Sequence, residues 1–168
     1  MGTIKDWDPD LYLKYMDERT QPSIDLISKI DIGFEPKSIL DIGCGPGNSS
    51  NALLRRWPDA MLTGIDNSVS MIEKAKATYP ASSWVVADAS KYVSNTRYDL
   101  VFSNATIQWI PDHNHLFQVL FNLINSHGVL AIQVPRFDEM PISKAIEEVS
   151  RRGKWKESTK GCSDLFTR

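Results

Sequence analysis

Short apolar runs alternate with helical patterns along most of this chain, and that alternation restricts the folds it can adopt. Most of the runs are continuously apolar, which is typical of strands buried on both faces of a parallel sheet. Strands that alternate with helices form βαβ units, so we predict an α/β fold: a Rossmann-like, doubly wound, mostly parallel sheet with flanking helices. The five predicted strands are Ser38–Ile42, Met61–Asp66, Trp84–Ala87, Tyr98–Ser103 and Gly128–Val134.

Helical patterns fill the intervals between these strands and continue on both sides of them. Between strands, helices are predicted near Ser49–Trp57, Val69–Tyr79 and His113–Ile124. Before the first strand, Pro22–Ile30 has isoleucines at helical spacing, and Pro22 suits a first turn, where its missing donor costs nothing. After the last strand, one apolar helix face is formed by four residues: Ile142, Ala145, Ile146 and Val149.

The length and composition are those of a single globular domain. The chain has 168 residues, of which 42% are hydrophobic and 24% charged, as is ordinary for a soluble protein. We place the domain at residues 1–150. From Arg151 onward the sequence is polar and without periodicity, so residues 151–168 are expected to be a tail or the start of a further region.

Charge and hydropathy exclude several kinds of partner. A formal net charge of −2 provides no field for a polyanion, so neither nucleic acid nor a membrane surface is expected as a partner. No apolar run approaches the roughly 20 residues of a membrane span, and the N-terminus lacks a signal-peptide core, so we expect a cytoplasmic protein. Cys44 and Cys162 have no metal-ligand spacing, and both thiols are expected to be free.

A glycine-rich segment follows the first strand and opens the next helix. Gly43, Gly45 and Gly47 allow the backbone to approach a ligand, because glycine has no Cβ and tolerates positive φ. Asp66 ends the second strand about 20 residues later, where an acidic side chain can accept hydrogen bonds from ribose hydroxyls. A plain turn and a helix-capping Asp66 are the structural alternatives. Together the two features favour a nucleoside-containing ligand.

The third glycine separates the candidate nucleoside ligands. Dinucleotide-binding fingerprints read G-x-G-x-x-G, which would place a glycine where Asn48 stands. A nicotinamide-dependent oxidoreductase is therefore only our third hypothesis. A phosphate-binding P-loop needs Gly-Lys-Ser or Gly-Lys-Thr, which the sequence lacks. A kinase or ATPase is not expected.

Several stretches resemble one enzyme family. The pattern Asp-x-Gly-x-Gly-Pro-Gly at 41–47, with Asp66, is similar to class I S-adenosylmethionine-dependent methyltransferases. A narrower resemblance, over about residues 7–135, is to the trans-aconitate 2-methyltransferases. It is carried by Trp7–Leu13, Glu18-Arg19, Gly43–Ser49, Gly64–Ser68 and Asn104–His113.

The resemblance implies S-adenosylmethionine as cofactor, with S-adenosylhomocysteine as product. Asp66 would hold the ribose, Asp88 would accept from the adenine amino group, and the backbone N–H of Ala89 would donate to the ring. Three of these residues could instead have a purely structural role: Asp41 could brace the loop, Asp88 could cap a turn, and Met71 could pack in the core. The implied cofactor-binding residues are Trp7, Tyr12, Arg19, Asp41, Gly43, Gly45, Asp66, Asn67, Met71, Asp88, Ala89 and Asn104.

In relatives, a segment like residues 1–20 folds over the cofactor as a lid. Aromatic residues of this segment, including Tyr15, would form walls around the cofactor, and Arg19 would pair with its carboxylate. Alternatively, the aromatic residues only anchor the segment to the core. Asn104 would position the cofactor's amino end and admit the substrate, or else serve only as a turn residue. The substrate-positioning candidates are Arg19, Asn104, Gln108, Trp109 and Arg136, with Arg97 also considered.

The implied reaction is methyl transfer to a carboxylate of a small polycarboxylic acid such as trans-aconitate, giving a methyl ester. A carboxylate is ionised near neutral pH and needs no general base, in keeping with the lack of an obvious His-Asp pair. No metal site is expected, because His113 and His115 do not share a helix face.

The resemblance also marks a departure at the C-terminal end. Family members usually add a sixth strand and an antiparallel seventh, which this sequence lacks. The fifth strand is then an exposed edge through which chains could self-associate. A truncated cofactor-binding module without catalysis is therefore the alternative function.

Overall fold

The chain divides into two compact units, with the boundary between Gln133 and Val134. The first unit contains the sheet and most of the helices, and the second contains one described helix. The computed structural model describes residues 6–14, 16–31, 33–136 and 139–155.

A parallel sheet of five strands organises the first unit, which confirms the predicted fold class. Along the chain its strands are β1 Ser38–Ile42, β2 Met61–Asp66, β3 Ser83–Val86, β4 Tyr98–Asn104 and β5 Ile124–Gln133. Their spatial order is β3-β2-β1-β4-β5, and every neighbouring pair is parallel. The order reverses between β1 and β4. In sheets of this kind a ligand crevice forms at that reversal, outside the carboxyl ends of the strands.

Helices precede, connect and follow the strands. Those that connect strands match their predicted bounds to within two residues, and none of the described helices is long and apolar enough to cross a bilayer. A short 3-10 helix at Ile107–Trp109 follows β4. The α-helices are α1 Pro9–Leu13, α2 Met16–Ser28, α3 Asn48–Arg56, α4 Val69–Thr78, α5 His113–Asn122 and α6 Pro141–Ser150.

Alternate residues of the central strand β1 belong to two apolar clusters, one on each face of the sheet. Ile39 packs with Leu53 of α3 and Ile72 of α4. Leu40 packs instead with Leu116 of α5. All five side chains are fully buried, and burial of such a side chain stabilises the fold by about 1.5–3 kcal/mol. Burial on both faces explains why consecutive residues of this strand, such as Ile39 and Leu40, are both apolar.

Helix α2 differs from its prediction, because it begins well before Pro22 and contains that residue in its interior. The expectation that Pro22 lies in a first turn is therefore wrong. Proline has no N–H, so the carbonyl of Glu18 loses its helical donor. Helix α2 also ends at Ser28, before the predicted end at Ile30; Ile27 and Ile30 are buried, whereas Ile24 is 42% exposed.

Strand β5 begins at Ile124, four residues before the predicted start at Gly128. The pairing with β4 is irregular there: Tyr98 lies opposite Ile124, and Leu100 lies opposite Val129. The register between the two strands therefore shifts at this point, because β5 has more residues than β4 between the two pairs. The predicted strand, Gly128–Val134, therefore starts too late.

Helix α6 confirms the predicted helix of the second unit. Its apolar residues Ile142, Ile146 and Val149 are exposed. Residues 151–155 form turns and a bend. Cys162 and Tyr15 lie outside the described residues.

Candidate functional site

A pocket of about 310 Å³ lies where the parallel strands end. Its lining comes from residues that end or follow β1, β2, β3 and β4, the position at which such sheets bind ligands. The lining includes most of the predicted cofactor-binding residues: Trp7, Gly43, Gly45, Asp66, Asn67, Met71, Asp88, Ala89 and Asn104.

The glycine loop between β1 and α3 is tied to β2. The N–H groups of Gly43 and Cys44 both donate to the Ile65 carbonyl, at 2.8 and 3.0 Å. Gly43 has φ +69°, and a Cβ there would lie 2.1 Å from Thr106 Oγ1. Gly45 has φ +53°, and a Cβ there would meet no atom within 4 Å. Gly45 therefore needs glycine for its backbone conformation and leaves open space beside the pocket.

Asp66 joins the glycine loop to the start of α4. One carboxylate oxygen accepts from the Gly45 N–H at 3.0 Å, and the other accepts from the Ser68 N–H at 2.9 Å. Burial raises the pKa of this carboxyl above its ordinary value. The helix cap itself is Ser68, whose hydroxyl accepts from the Met71 N–H. Asp66 thus supports the cap but also lines the pocket.

Asp41 lies beneath the loop rather than in the pocket lining. It is fully buried, and one oxygen accepts from the hydroxyls of Ser49 and Ser50, each at 2.6 Å. Its Oδ1 is buried without a hydrogen-bond partner. Burial raises the pKa of Asp41 to about 6. These contacts support the bracing role that the sequence left open.

Asp88 and Met71 each combine a pocket position with a local structural one. Asp88 accepts from the Ser90 side chain at 2.7 Å and from the Ser90 N–H at 2.9 Å. These bonds, with a 3.4 Å ion pair to Lys91, lower the pKa of Asp88. Met71 is 3% exposed, as a core residue would be. Both residues nevertheless line the pocket.

The segment after β4 is held in an unusual backbone conformation. Ala105 has φ +53°, and its N–H donates to the Gln133 carbonyl at 2.8 Å. Asn104 lines the pocket, and its Oδ1 is buried without a hydrogen-bond partner among the described residues. The Oε1 of Gln108 is likewise buried and unpartnered, whereas its Nε2 donates to the Ala105 carbonyl at 2.8 Å. A buried, unpaired acceptor in a pocket wall suits a ligand that brings a donor.

Five lining residues were missed by the sequence reasoning. Ile65 and Ala87 directly precede the two predicted aspartates, and the rule that strand ends line the crevice would have found them. Ala105 and Thr106 enter the lining only because the chain turns at a positive φ, which nothing in the local sequence indicates. The residues missed are Ile65, Ala87, Ala105, Thr106 and Ile110.

Other predicted residues are not brought into this lining. Arg19 lies exposed on α2, and Gln108 follows β4 without lining the pocket. Arg136 belongs to the second unit and pairs with Glu139 at 2.8 Å. The side chain of Tyr12 lies outside what the structure describes. Trp109 does line the pocket and is 65% exposed.

The two histidines of α5 bond to different backbone carbonyls. His113 Nε2 lies 2.9 Å from the Ile107 carbonyl, and His115 Nε2 lies 3.1 Å from the Ser90 carbonyl. Neither contributes to the pocket lining, and within the described part of the chain that lining contains no lysine or arginine.

A family model and named enzymes that match this chain are all methyltransferases. Residues 39–128 match a family described as a methyltransferase domain. Trans-aconitate 2-methyltransferase of Yersinia pestis (strain Pestoides F) is 41% identical over 92% of this chain and 60% of its own length. The enzyme of that name from Enterobacter sp. (strain 638) is 41% identical over 88% of this chain and 58% of its own. The chain thus spans about three fifths of these relatives' length.

Solved structures share the fold. The plantazolicin methyltransferase BpumL in complex with SAH has a TM-score of 0.65 at 21% identity, over 94% of this chain and 58% of that one. An S-adenosylmethionine-dependent methyltransferase from Clostridium acetobutylicum ATCC 824 has a TM-score of 0.62 at 20% identity, over 76% of this chain and 56% of that one.

Asp41→Asn is expected to flatten the pH dependence of the free energy of unfolding. The folded protein raises the pKa of Asp41 from 3.8 to about 6, so the folded state holds this proton more tightly than the unfolded state. The resulting stabilisation is complete below about pH 3.8 and disappears as pH rises through 6, a change of about 3 kcal/mol. Urea unfolding between pH 4 and pH 7.5 measures the slope. Asp59→Asn, at an exposed carboxyl, is the control, and an Asp41→Asn curve parallel to wild type would contradict the assignment.

Proposed function

This chain belongs to the methyltransferase domain family, and we propose that it binds S-adenosylmethionine in the pocket and methylates a carboxylate of a small polycarboxylic acid. The observation that carries the proposal is the 3.0 Å hydrogen bond from the Gly45 N–H to Asp66. It joins the open glycine loop to the acidic end of β2 in one pocket wall. A nucleoside ligand needs both features side by side.

The nucleoside end of the cofactor would lie against β2 and β3. Each oxygen of Asp66 accepts one backbone N–H and keeps lone pairs for the ribose hydroxyls. Asp88 would accept from the adenine amino group, and Ala89 would donate to the ring. Met71 would cover the adenine, with Asn67 beside the ribose. The pocket position of all five residues supports this assignment.

The amino-acid end would lie against the glycine loop and the end of β4. Asn104 Oδ1 is the orphaned acceptor of the pocket, and an ammonium group would satisfy it. Gly43 and Gly45 would border the same part of the cofactor, and Asp41 would act through the loop that it braces. Arg19 is proposed as the partner of the cofactor's carboxylate. The lid residues Trp7 and Tyr12 are proposed to form aromatic walls around the cofactor.

The chemistry requires alignment more than acid–base catalysis. The cofactor supplies a methyl group on a positively charged sulfur. A carboxylate oxygen of the acceptor would form the new O–C bond as the S–C bond breaks, and the electron pair would remain on sulfur as a neutral thioether. The acceptor is already ionised near neutral pH, so no side chain must take up a proton. The role left to the protein is to hold the two reactants in line.

The acceptor would approach beside Trp109, which lines the pocket with more than half of its surface exposed. Asn104 and Gln108 would offer polar groups there. Arg19 is proposed to hold a further carboxylate, although it is not part of the described lining. Self-association through the edge strand β5 also stays a prediction.

One observation favours the second candidate function, a cofactor-binding module without catalysis. Among the described residues that line the pocket there is no lysine or arginine, so none of these side chains offers a cation to a polyanionic acceptor. The third hypothesis, a nicotinamide-dependent oxidoreductase, is weakened by Asn48. This residue stands where the dinucleotide fingerprint needs glycine, and its side chain donates to Thr20 at 3.3 Å.

Asp66→Ala is expected to weaken binding of S-adenosylhomocysteine by about 1.5–3 kcal/mol, the usual effect of losing hydrogen bonds to a charged group. Isothermal titration calorimetry gives the affinity, and thermal unfolding reports any loss of stability. The matched control is Asp99→Ala. Asp99 also accepts backbone N–H groups, from Lys37 and Ser38, but lies at the opposite end of the strands. An unchanged affinity in Asp66→Ala would leave this residue only its structural role.

Labelled S-adenosylmethionine should yield a methyl ester of trans-aconitate and no methylated amine. The assay compares trans-aconitate, a monocarboxylate and a small amine, with trans-aconitate 2-methyltransferase of Yersinia pestis as the positive control. Transfer to the amine alone would contradict the carboxylate assignment. If the cofactor binds but no methyl group is transferred to any acceptor while the control is active, the chain is a cofactor-binding module and not an enzyme.

A further inference from the structure

The first described residues of the chain lie against the start of helix α4. We define this N-terminal strap as residues 6–10. Ser68 donates its hydroxyl to Asp6 Oδ1 at 2.5 Å, and the Ser70 N–H donates to Asp6 Oδ2 at 3.1 Å. Both oxygens of one carboxylate therefore bind the first turn of a helix more than sixty residues away. This turn has unpaired backbone donors, and a carboxylate there is favourable.

The same contacts fix the residue that follows Asp6. The Ser70 hydroxyl donates to the Trp7 carbonyl at 2.6 Å, and the Trp7 N–H donates to Asp6 Oδ1 at 2.9 Å. Both polar backbone groups of Trp7 are thus held in place. Trp7 lines the pocket, although it is 52% exposed. Because so much of the side chain faces solvent, these tethers are what keep Trp7 at the pocket.

The tether is also continuous with the residue proposed to bind ribose. Ser68 donates its N–H to Asp66 and its hydroxyl to Asp6, so one serine links the pocket carboxylate to the strap. Hydrogen bonds from the Ser68 hydroxyl and the Ser70 N–H lower the pKa of Asp6, which keeps the tether charged near neutral pH.

We propose that Asp6 is a cofactor-positioning residue, which fastens the strap to α4 and thereby holds Trp7 against the nucleoside side of the pocket. The inference rests on the proposed function, since it presumes that a nucleoside occupies the pocket. Asp6 acts through Trp7 and makes no contact with the reacting atoms. Release of the cofactor then requires the bonds of Asp6 to break, so this residue sets the lifetime of the bound state.

A second link on the strap provides the control. Asp10 pairs with Lys74 at 3.0 Å, one turn further along α4. The side chain of Asp10 is 85% exposed, and exposed ion pairs contribute little. Asp10→Asn therefore removes a carboxylate from the same segment without loosening Trp7.

The experiment measures the Kd and dissociation rate of S-adenosylhomocysteine for wild type and for the variants Asp6→Ala, Trp7→Ala, the double variant and Asp10→Asn. Asp6→Ala is expected to raise the dissociation rate about fivefold to tenfold, the net effect of about one hydrogen bond, because Asp6 is exposed. If Asp6 acts through Trp7, the double variant should match Trp7→Ala alone. Asp10→Asn should match wild type. The melting temperature of the free protein should stay within a few degrees for Asp6→Ala, which separates positioning from folding.

An Asp6→Ala dissociation rate equal to that of wild type would overturn the inference, as would additive effects of Asp6→Ala and Trp7→Ala. An Asp10→Asn variant as impaired as Asp6→Ala would also overturn it, because the effect would then belong to the strap's general docking. If wild type bound no S-adenosylhomocysteine, the proposed function would fail as well. Binding by wild type with unaffected variants would leave the proposed function standing and remove only the role of Asp6.

Discussion

The parallel pairing of β1 with β2 on one side and β4 on the other is the constraint on which the site depends. Ile42 lies opposite both Ile65 and Ser103, so the three strands end at the same level. The loops that follow these strands must therefore share one crevice. The Ile65 carbonyl receives two N–H groups of the glycine loop, which ties the loop to β2. A change in register at β1 would separate the glycine loop from Asp66 and remove the pocket.

Beneath the glycine loop, a buried aspartate holds the turn between β1 and α3 in place. Asp41 is fully buried and bound by two serine hydroxyls at the start of α3. The neighbouring Cys44 is buried as well, and its burial raises the pKa of the thiol far above its usual range. The glycine loop is thus supported from below by Asp41 and from the side by Asp66, while its upper face stays open. Because Asp66 lies beside the loop and Asp41 lies beneath it, Asp66 lines the pocket and Asp41 does not.

The sequence predicted those parts of the fold that are determined by residues close together in the chain. Strands β1 and β2 were predicted with their observed bounds, because most of their apolar residues are buried and because Gly43 follows β1 and Asp66 ends β2. The start of β5 was not predicted, since its polar residue Asn125 is held by Asp99, 26 positions away, at 2.7 Å. Thr106 and Asp6 were missed for the same reason. Their positions depend on a positive φ at Ala105 and on serines of α4, which no local pattern reveals.

Titration calorimetry of the full chain with S-adenosylhomocysteine and with NAD tests the central assignment most directly. The pocket joins an open glycine, an acidic strand end and an unpaired amide oxygen. It lacks the third glycine that a dinucleotide requires. The account predicts saturable binding of S-adenosylhomocysteine at one site per chain and no measurable heat with NAD at the same concentrations. Tighter binding of NAD, or no binding of S-adenosylhomocysteine by the folded protein, would contradict it.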